Sequence, residues 1–327
     1  HIIKFNERII INGKLIEDDF LFQSLYEVAR TNNHEEITFF EITTAACFLA
    51  FSKTQSDICL IETGLGGRLD ATNVVENKKI TILTKIGYDH VEFLGKSLKK
   101  ITLEKCGIIK ENTPVIIGKQ NKPIVKKIIV EEAHKKKSQI LPLHKIPKKW
   151  PLGLLGNHQY ENAEIAVTAM KYLFKDLRKQ IIQEGLKSVN WPGRLQQIEN
   201  GKLLKKRKNI TIIDGAHNLE GAKILLNYFK KINLNNWVIV LGMMKNKDVQ
   251  GFVELLKKYI DTILVIPIKG QKLCFTESEL EKILRIKCQI YPKPFKSIEK
   301  ALKHVCPEKP LLVTGSLYLI GEILKKN

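Results

Sequence analysis

Four apolar residues, Ile58-Cys59-Leu60-Ile61, run into the stretch Glu62–Asn73, which reads Glu-Thr-Gly-Leu-Gly-Gly-Arg-Leu-Asp-Ala-Thr-Asn. A short apolar run bounded by polar Ser56-Asp57 and closing on glycine predicts a buried parallel strand. In open α/β sheets the carboxyl end of such a strand is where ligands sit. Glu62 there suits a hard cation and Arg68 an anion, while the glycines let backbone approach without a Cβ in the way. A Gly-rich turn with a surface acid and arginine is the competing reading, because a glycine loop alone is a weak signal.

The flanking sequence extends the α/β pattern. Phe5–Ile16 alternates around Asn12-Gly13, a hairpin signal. Helical spacing covers Asp18–Arg30, Phe39–Ser52, Leu98–Ile109, Pro123–Lys136, Asn157–Leu173 and Lys179–Lys187, with strands predicted at Ile80–Ile86 and Val115–Ile117. Leu141–Gly156, with three prolines, reads as irregular. Trp191-Pro192-Gly193 breaks the pattern, which places a domain boundary there: residues 1–191 and 192–327. Beyond it, strands at Ile210–Ile213, Val238–Leu241, Ile263–Ile266, near Gln289–Tyr291 and at Leu311–Val313 alternate with helices at Leu219–Lys231, Val249–Ile260, Glu277–Leu284, Ser297–His304 and Leu317–Lys325. That is a small doubly wound sheet.

With 327 residues the chain is long enough for two cores. No apolar stretch approaches the ~20 residues that cross a bilayer. The sequence shows no secretory leader, and it opens on His1 instead of Met, so it reads as a fragment lacking its natural beginning. Six cysteines, none in a Cys-x-x-Cys pair, read as reduced thiols of a cytoplasmic protein and argue against a zinc site. The net charge of +20 comes from lysines scattered in pairs and triplets, such as Lys135-Lys136-Lys137 and Lys205-Lys206, without interleaved aromatics. A solvated lysine-rich face fits this better than a nucleic-acid stripe.

Three places carry candidate chemistry. Glu62 and His90 each follow a predicted strand, and a carboxylate with an imidazole suits a divalent ion such as Mg²⁺. Lys105 lies among Ile101, Leu103, Ile108 and Ile109, where desolvation lowers an amine pKa; a neutral amine there is able to add CO₂, although pairing with a nearby acid is the simpler reading. Arg194 stands at the predicted junction. Asp214-Gly215-Ala216-His217-Asn218 ends a strand and opens a helix, as a nucleotide site does, or as a tight turn with an Asn218 cap.

Taken in order, the motifs HIIKFNERIIINGK (1–14), TFFEIT (38–43), Glu62–Asn73, Asp89-His90 with Leu94-Gly95, Glu104–Lys110, GNHQYENA (156–163), WPGRLQ (191–196), DGAHN (214–218) and TGSLYLIGE (314–322) resemble the folylpolyglutamate synthase/dihydrofolate synthase family, a branch of the Mur-ligase-like amide ligases. The resemblance implies a P-loop-type ATPase domain followed by a Rossmann-like doubly wound domain. It implies ATP-dependent addition of L-glutamate to dihydropteroate or a folate through an acyl phosphate. Mapped position by position, it makes Glu62 and His90 Mg²⁺ ligands and Lys105 a carbamylated lysine serving a second metal. Asn162, Arg194 and Asp214 become ATP contacts with His217 close by. Thr38, Phe39, Phe40, Glu41 and Asp70 become the pterin pocket, Phe40 stacking on the ring; Lys105, Asp70 and His217 are the catalytic candidates.

The family's phosphate-binding loop lies upstream of the first motif, so the expectation is that these 327 residues alone do not turn over ATP. Smaller departures are Thr63 for Val, Cys106 for Ala, and Asn246 for an acid. The implied partners are ATP, L-glutamate and a folate or dihydropteroate, with no nucleic acid or membrane, acting on a monomer. A cell-wall Mur-type ligase and a basic, non-catalytic nucleic-acid binder are the alternative readings.

Overall fold

The computed structural model describes residues 1–199, 201–204 and 207–327, so Lys205-Lys206 lies outside the described residues. The chain forms two compact units: His1 with 3–146 and 161–178, and Ile2 with 147–160 and 179–327. The second unit thus takes in stretches N-terminal to the 191/192 cut drawn from sequence.

In the first unit a 3-10 turn, Phe5–Arg8, precedes a hairpin of β1 (Ile10–Ile11) and β2 (Lys14–Leu15). Asn12 and Gly13 take positive φ, as a two-residue hairpin turn demands. The hairpin is shorter than its alternation suggests because Phe5–Arg8 is helical. Helices α1 (Asp18–Thr31) and α2 (Phe39–Ser52) pack on it through Ile9, Ile16, Leu21 and Ala50. Next come β3 (Thr81–Leu83), α3 (Val91–Leu94), α4 (Leu98–Cys106), β4 (Val115–Ile117), α5 (Pro123–Lys135), β5 (Ile140–Leu141) and α6 (His158–Leu173). Strands β3, β4 and β5 make a parallel sheet in that order. Alternation sends Val115 and Ile117 into a core with Ile101 of α4 and Val125 and Ile129 of α5, while Ile116 meets Ile165 and Ala169 of α6.

The strand expected at Ile58–Ile61 does not form. These residues are irregular, belong to no sheet, and leave Leu60 85% exposed. A strand exists only through a neighbouring ladder, and among the described residues none pairs with this run.

The second unit begins its regular structure at α7 (Lys179–Ser188) and continues with β6 (Gln196–Gln197), β7 (Thr211–Asp214), α8 (Leu219–Ile232), β8 (Trp237–Leu241), α9 (Val249–Leu256), β9 (Ile260–Val265), α10 (Glu277–Cys288), β10 (Lys293–Pro294), α11 (Ile298–Leu302), β11 (Leu311–Thr314) and α12 (Leu317–Lys326). The sheet order is β10-β9-β8-β11-β7-β6, parallel except for β6. Alternate residues serve opposite faces. Ile212, Ile239, Leu241 and Leu312 pack under α8, α9 and α10, and Ile213, Val238, Val240 and Val313 pack under α11 and α12. This is a doubly wound sheet, and its order reverses where β11 returns between β8 and β7. The strand expected near Gln289–Tyr291 instead forms at Lys293–Pro294, because Gln289 ends α10 with φ 53° and the chain must turn before it can pair.

Candidate active site

The glycine loop of the first unit is built by contacts that sequence spacing does not reveal. Asp70 is buried; its Oδ2 accepts from Leu65 N (2.8 Å) and its Oδ1 from Thr72 N (3.0 Å) and Thr72 Oγ1 (2.6 Å), which closes the loop on itself. A Cβ on Gly64 would run into the Phe40 ring, so glycine is required for that ring to lie on the loop. Thr38 and Glu41 form a reciprocal N-cap: Glu41 N donates to Thr38 Oγ1 (3.2 Å), and Thr38 N donates to the Glu41 carboxylate (2.9 Å). That cap holds the Glu41 carboxyl below its ordinary range. Phe39 is 62% exposed and meets Phe5 edge-on at 5.7 Å.

Arg68, expected as an anion clamp, is paired instead. Its Nε and Nη2 donate to one oxygen of Glu104 at 3.1 and 3.0 Å. Lys105, the next residue, is half-buried on the last turn of α4. Burial lowers its pKa, and Asp89 opposes that shift by its charge. Asp89 is thus the acid whose charge reaches Lys105. His90, beside it, is exposed and enters α3 in the left-handed region at φ 49°. Glu62 is exposed on the irregular segment, where its charge raises the pKa of the His1 amino group against the larger effect of burial. Among the described residues, no three His, Cys, Asp or Glu side chains are grouped to hold a metal ion. Asn162 is exposed on α6.

In the second unit the sheet does the positioning. Asp214, the last residue of β7, is 7% exposed; its Oδ2 accepts from Leu195 N (2.7 Å) and its Oδ1 from Ala216 N (2.8 Å). Burial pushes its carboxyl up against the pull of these two amides and of Arg194. One carboxylate thereby ties the turn 191–196 to the turn 214–218, helped by Gly215 N donating to Gly193 O (2.9 Å). Arg194 is exposed and lines a cavity of about 350 Å³ with Leu155, Asn190 and Trp191. His217 Nδ1 donates to Gly215 O (2.9 Å), since a carbonyl only accepts. Asn218 caps α8 by accepting from Gly221 N (2.9 Å).

Sequence reasoning assigned no role to Glu104, Asn73 or the end of β11. Thr314 lies opposite Asp214 in the ladder, and Gly315 N and Thr314 Oγ1 both donate to Ala216 O, at 3.0 and 3.2 Å. The TGS and DGAHN stretches therefore meet at the sheet's switch point. Their shared position after two strands was the available signal.

Comparison with known proteins fits this arrangement. Residues 196–326 match the family described as dihydrofolate synthetase, C-terminal domain. A dihydrofolate synthase/folylpolyglutamate synthase of Buchnera aphidicola is 30% identical over 99% of this chain and 80% of its own length. One of Bacillus subtilis is 30% identical over 100% and 82%. The Escherichia coli FolC complex with DHPP and ADP superposes with a TM-score of 0.86 at 26% identity, covering 99% of this chain and 79% of that one. The fold and turns are those of a Mur-ligase-like α/β ligase. The chain belongs to the dihydrofolate synthase/folylpolyglutamate synthase family.

Proposed function

We infer that the chain is an ATP-dependent ligase that joins L-glutamate to the carboxylate of dihydropteroate or of a folate. The observation that carries this reading is family membership along the whole chain, with relatives named for that activity. In the reaction the acceptor carboxylate attacks the γ-phosphorus of ATP, the bond to ADP breaks, and an acyl phosphate forms. The amine of glutamate then attacks the acyl carbon, loses a proton, and expels phosphate as the amide forms.

The protein's share of such chemistry is placement and neutralisation of charge. Glu62 and His90 would hold a divalent ion, Mg²⁺ in the cell. The exposed carboxylate and imidazole are the donor types such an ion takes beside phosphate oxygens. That ion would screen the charge developing on the transferred phosphoryl group. Lys105 fits carbamylation, because burial favours its neutral amine; the amine nitrogen bonds to CO₂ and releases a proton, turning a cation into an anionic ligand. Arg194 would meet the nucleotide phosphates, held in place by Asp214, with Asn162 as a further nucleotide contact and His217 nearby. Phe40, Thr38, Phe39, Glu41 and Asp70 would frame the pterin. No helix among the described residues is long and apolar enough to cross a membrane; we place the protein in the cytoplasm as a monomer.

The test is glutamate-dependent phosphate release from ATP, with dihydropteroate and tetrahydrofolate as separate acceptors. It is run on the chain alone and with a phosphate-loop segment joined ahead of His1. With the phosphate-loop segment joined, turnover should appear with one or both acceptors and fall at least a hundredfold in Glu62→Gln and His90→Ala. Activity with UDP-linked peptide acceptors and none with folates would overturn the reading.

A further inference from the structure

The glycine loop serves α4 as a terminal cap. A helix ends with carbonyls that have no partner inside it, and its C-terminus attracts positive charge. Here the loop and the stretch just after it supply donors at this end: Arg68 N to Glu104 O (2.8 Å) and, just past the last helical residue, Asn73 Nδ2 to Gly107 O (3.0 Å) and Lys78 Nζ to Ile108 O (3.0 Å). Asn73 also donates to Arg68 O (3.1 Å), and Lys78 to Asn73 Oδ1 (2.8 Å), so the capping groups brace one another. The approach is too close for side chains. A Cβ at Gly67 would lie 2.8 Å from Glu104 O, and one at Gly107 would run into the Arg68 Cα. The Arg68 guanidinium completes the join on Glu104.

We propose that Arg68 is a positioning residue: paired with Glu104, it locks the glycine loop to the last turn of α4 and so fixes Lys105, and it binds no substrate anion. The surroundings agree. The neighbouring cleft, about 710 Å³, is lined by four carboxylates, Glu76, Glu104, Glu111 and Glu132. Of its three cations, Arg68 and Lys110 are already paired, with Glu104 and Glu76. Glu132 is paired as well, with Lys135, so the lining is close to neutral and offers no excess positive charge to an anion. The pair also keeps the Glu104 carboxylate engaged with Arg68. The positioning role rests on the reading of Lys105 as a metal-site residue, whereas the lock itself does not.

The experiment uses the full chain with Arg68→Ala, Glu104→Gln, the reversed pair Arg68→Glu/Glu104→Arg, and Gly107→Ala. Amide hydrogen exchange is followed over 62–73 and 98–110, and Mn²⁺ binding by the paramagnetic signal of the free ion. Both single variants should speed exchange in the two segments together and weaken Mn²⁺ about tenfold, as loss of an outer partner of a metal site does. Thermal melting should change little, because an exposed pair adds little stability. The reversed pair should restore both readouts, and Gly107→Ala should speed exchange most. Binding of a folate monoglutamate lost in Arg68→Ala but kept in Glu104→Gln would overturn the proposal, as would unchanged exchange in both single variants. If the wild-type chain binds no Mn²⁺, the metal reading fails, and the exchange data alone decide whether the lock exists.

Discussion

In the second unit the turn 214–218 hangs from β7, a strand buried along its length in a six-stranded sheet; in the first, the loop 64–73 follows no strand and rests on the end of α4. The two solve one problem, holding polar groups still, with different material. The sheet-borne turn is fixed by one buried carboxylate and two strand ends. The helix-borne loop needs glycines, an internal Asp70 and side-chain donors from Asn73, Lys78 and Arg68. The difference teaches that a polar turn is held by the sheet it hangs from in one place and assembled from its own side chains in another.

The comparison breaks first, and most visibly, in the cores. Phe252, fully buried under β8 and β9, should cost about 3–5 kcal/mol on truncation to alanine. With two units, the loss is best read by hydrogen exchange within each one, not from a single melting curve. Opening of the β3–β5 sheet by the same amount would show that the units do not unfold separately.

A smaller effect separates the two aspartates. Asp214→Ala strands two buried amides and should cost about 2–4 kcal/mol in the second unit. Asp70→Ala loosens a part-buried loop and should cost about 1–2 kcal/mol, felt as faster exchange at Leu65 and Thr72. Equal costs would remove the distinction between a sheet-borne and a helix-borne site.

The pH dependence is smaller still and has two signs. Burial raises Asp214 above its ordinary 3.8, so the folded unit holds that proton more tightly than the unfolded chain. Its contribution falls as pH climbs from 3.8 toward the raised value, and Asp214→Asn should lose that slope in urea titrations. Glu299 runs the other way. Lys326 holds it down to about 2, so its stabilisation is present above 4.5 and disappears as pH falls from there through 2. Lys326→Ala should flatten this dependence by less than about 1 kcal/mol, since both side chains are about a third exposed.

What was legible in the sequence follows the same division. The buried strands of the second unit announce themselves as Val/Ile/Leu runs, and α2 begins at Phe39 because Thr38 and Glu41 cap it locally. Ile58–Ile61 has the same composition yet makes no strand, because composition says nothing of whether a ladder waits beside it. Arg68 looked free for an anion because its partner Glu104 lies 36 residues on. Asp214 looked aimed at a ligand, although its two oxygens face amides at 195 and 216. Residue type predicted where the polar groups cluster, but only tertiary contact decides which of them are already engaged.

One residue of the 191–196 turn carries this further. Leu195 is buried and sits at φ 46°, a backbone shape that non-glycine residues adopt at a cost of roughly 1–2 kcal/mol. Its amide is the one that Asp214 grips. The turn is therefore a bent spring with a carboxylate for its catch: the strain at Leu195 persists because the grip of Asp214 on its amide outweighs it.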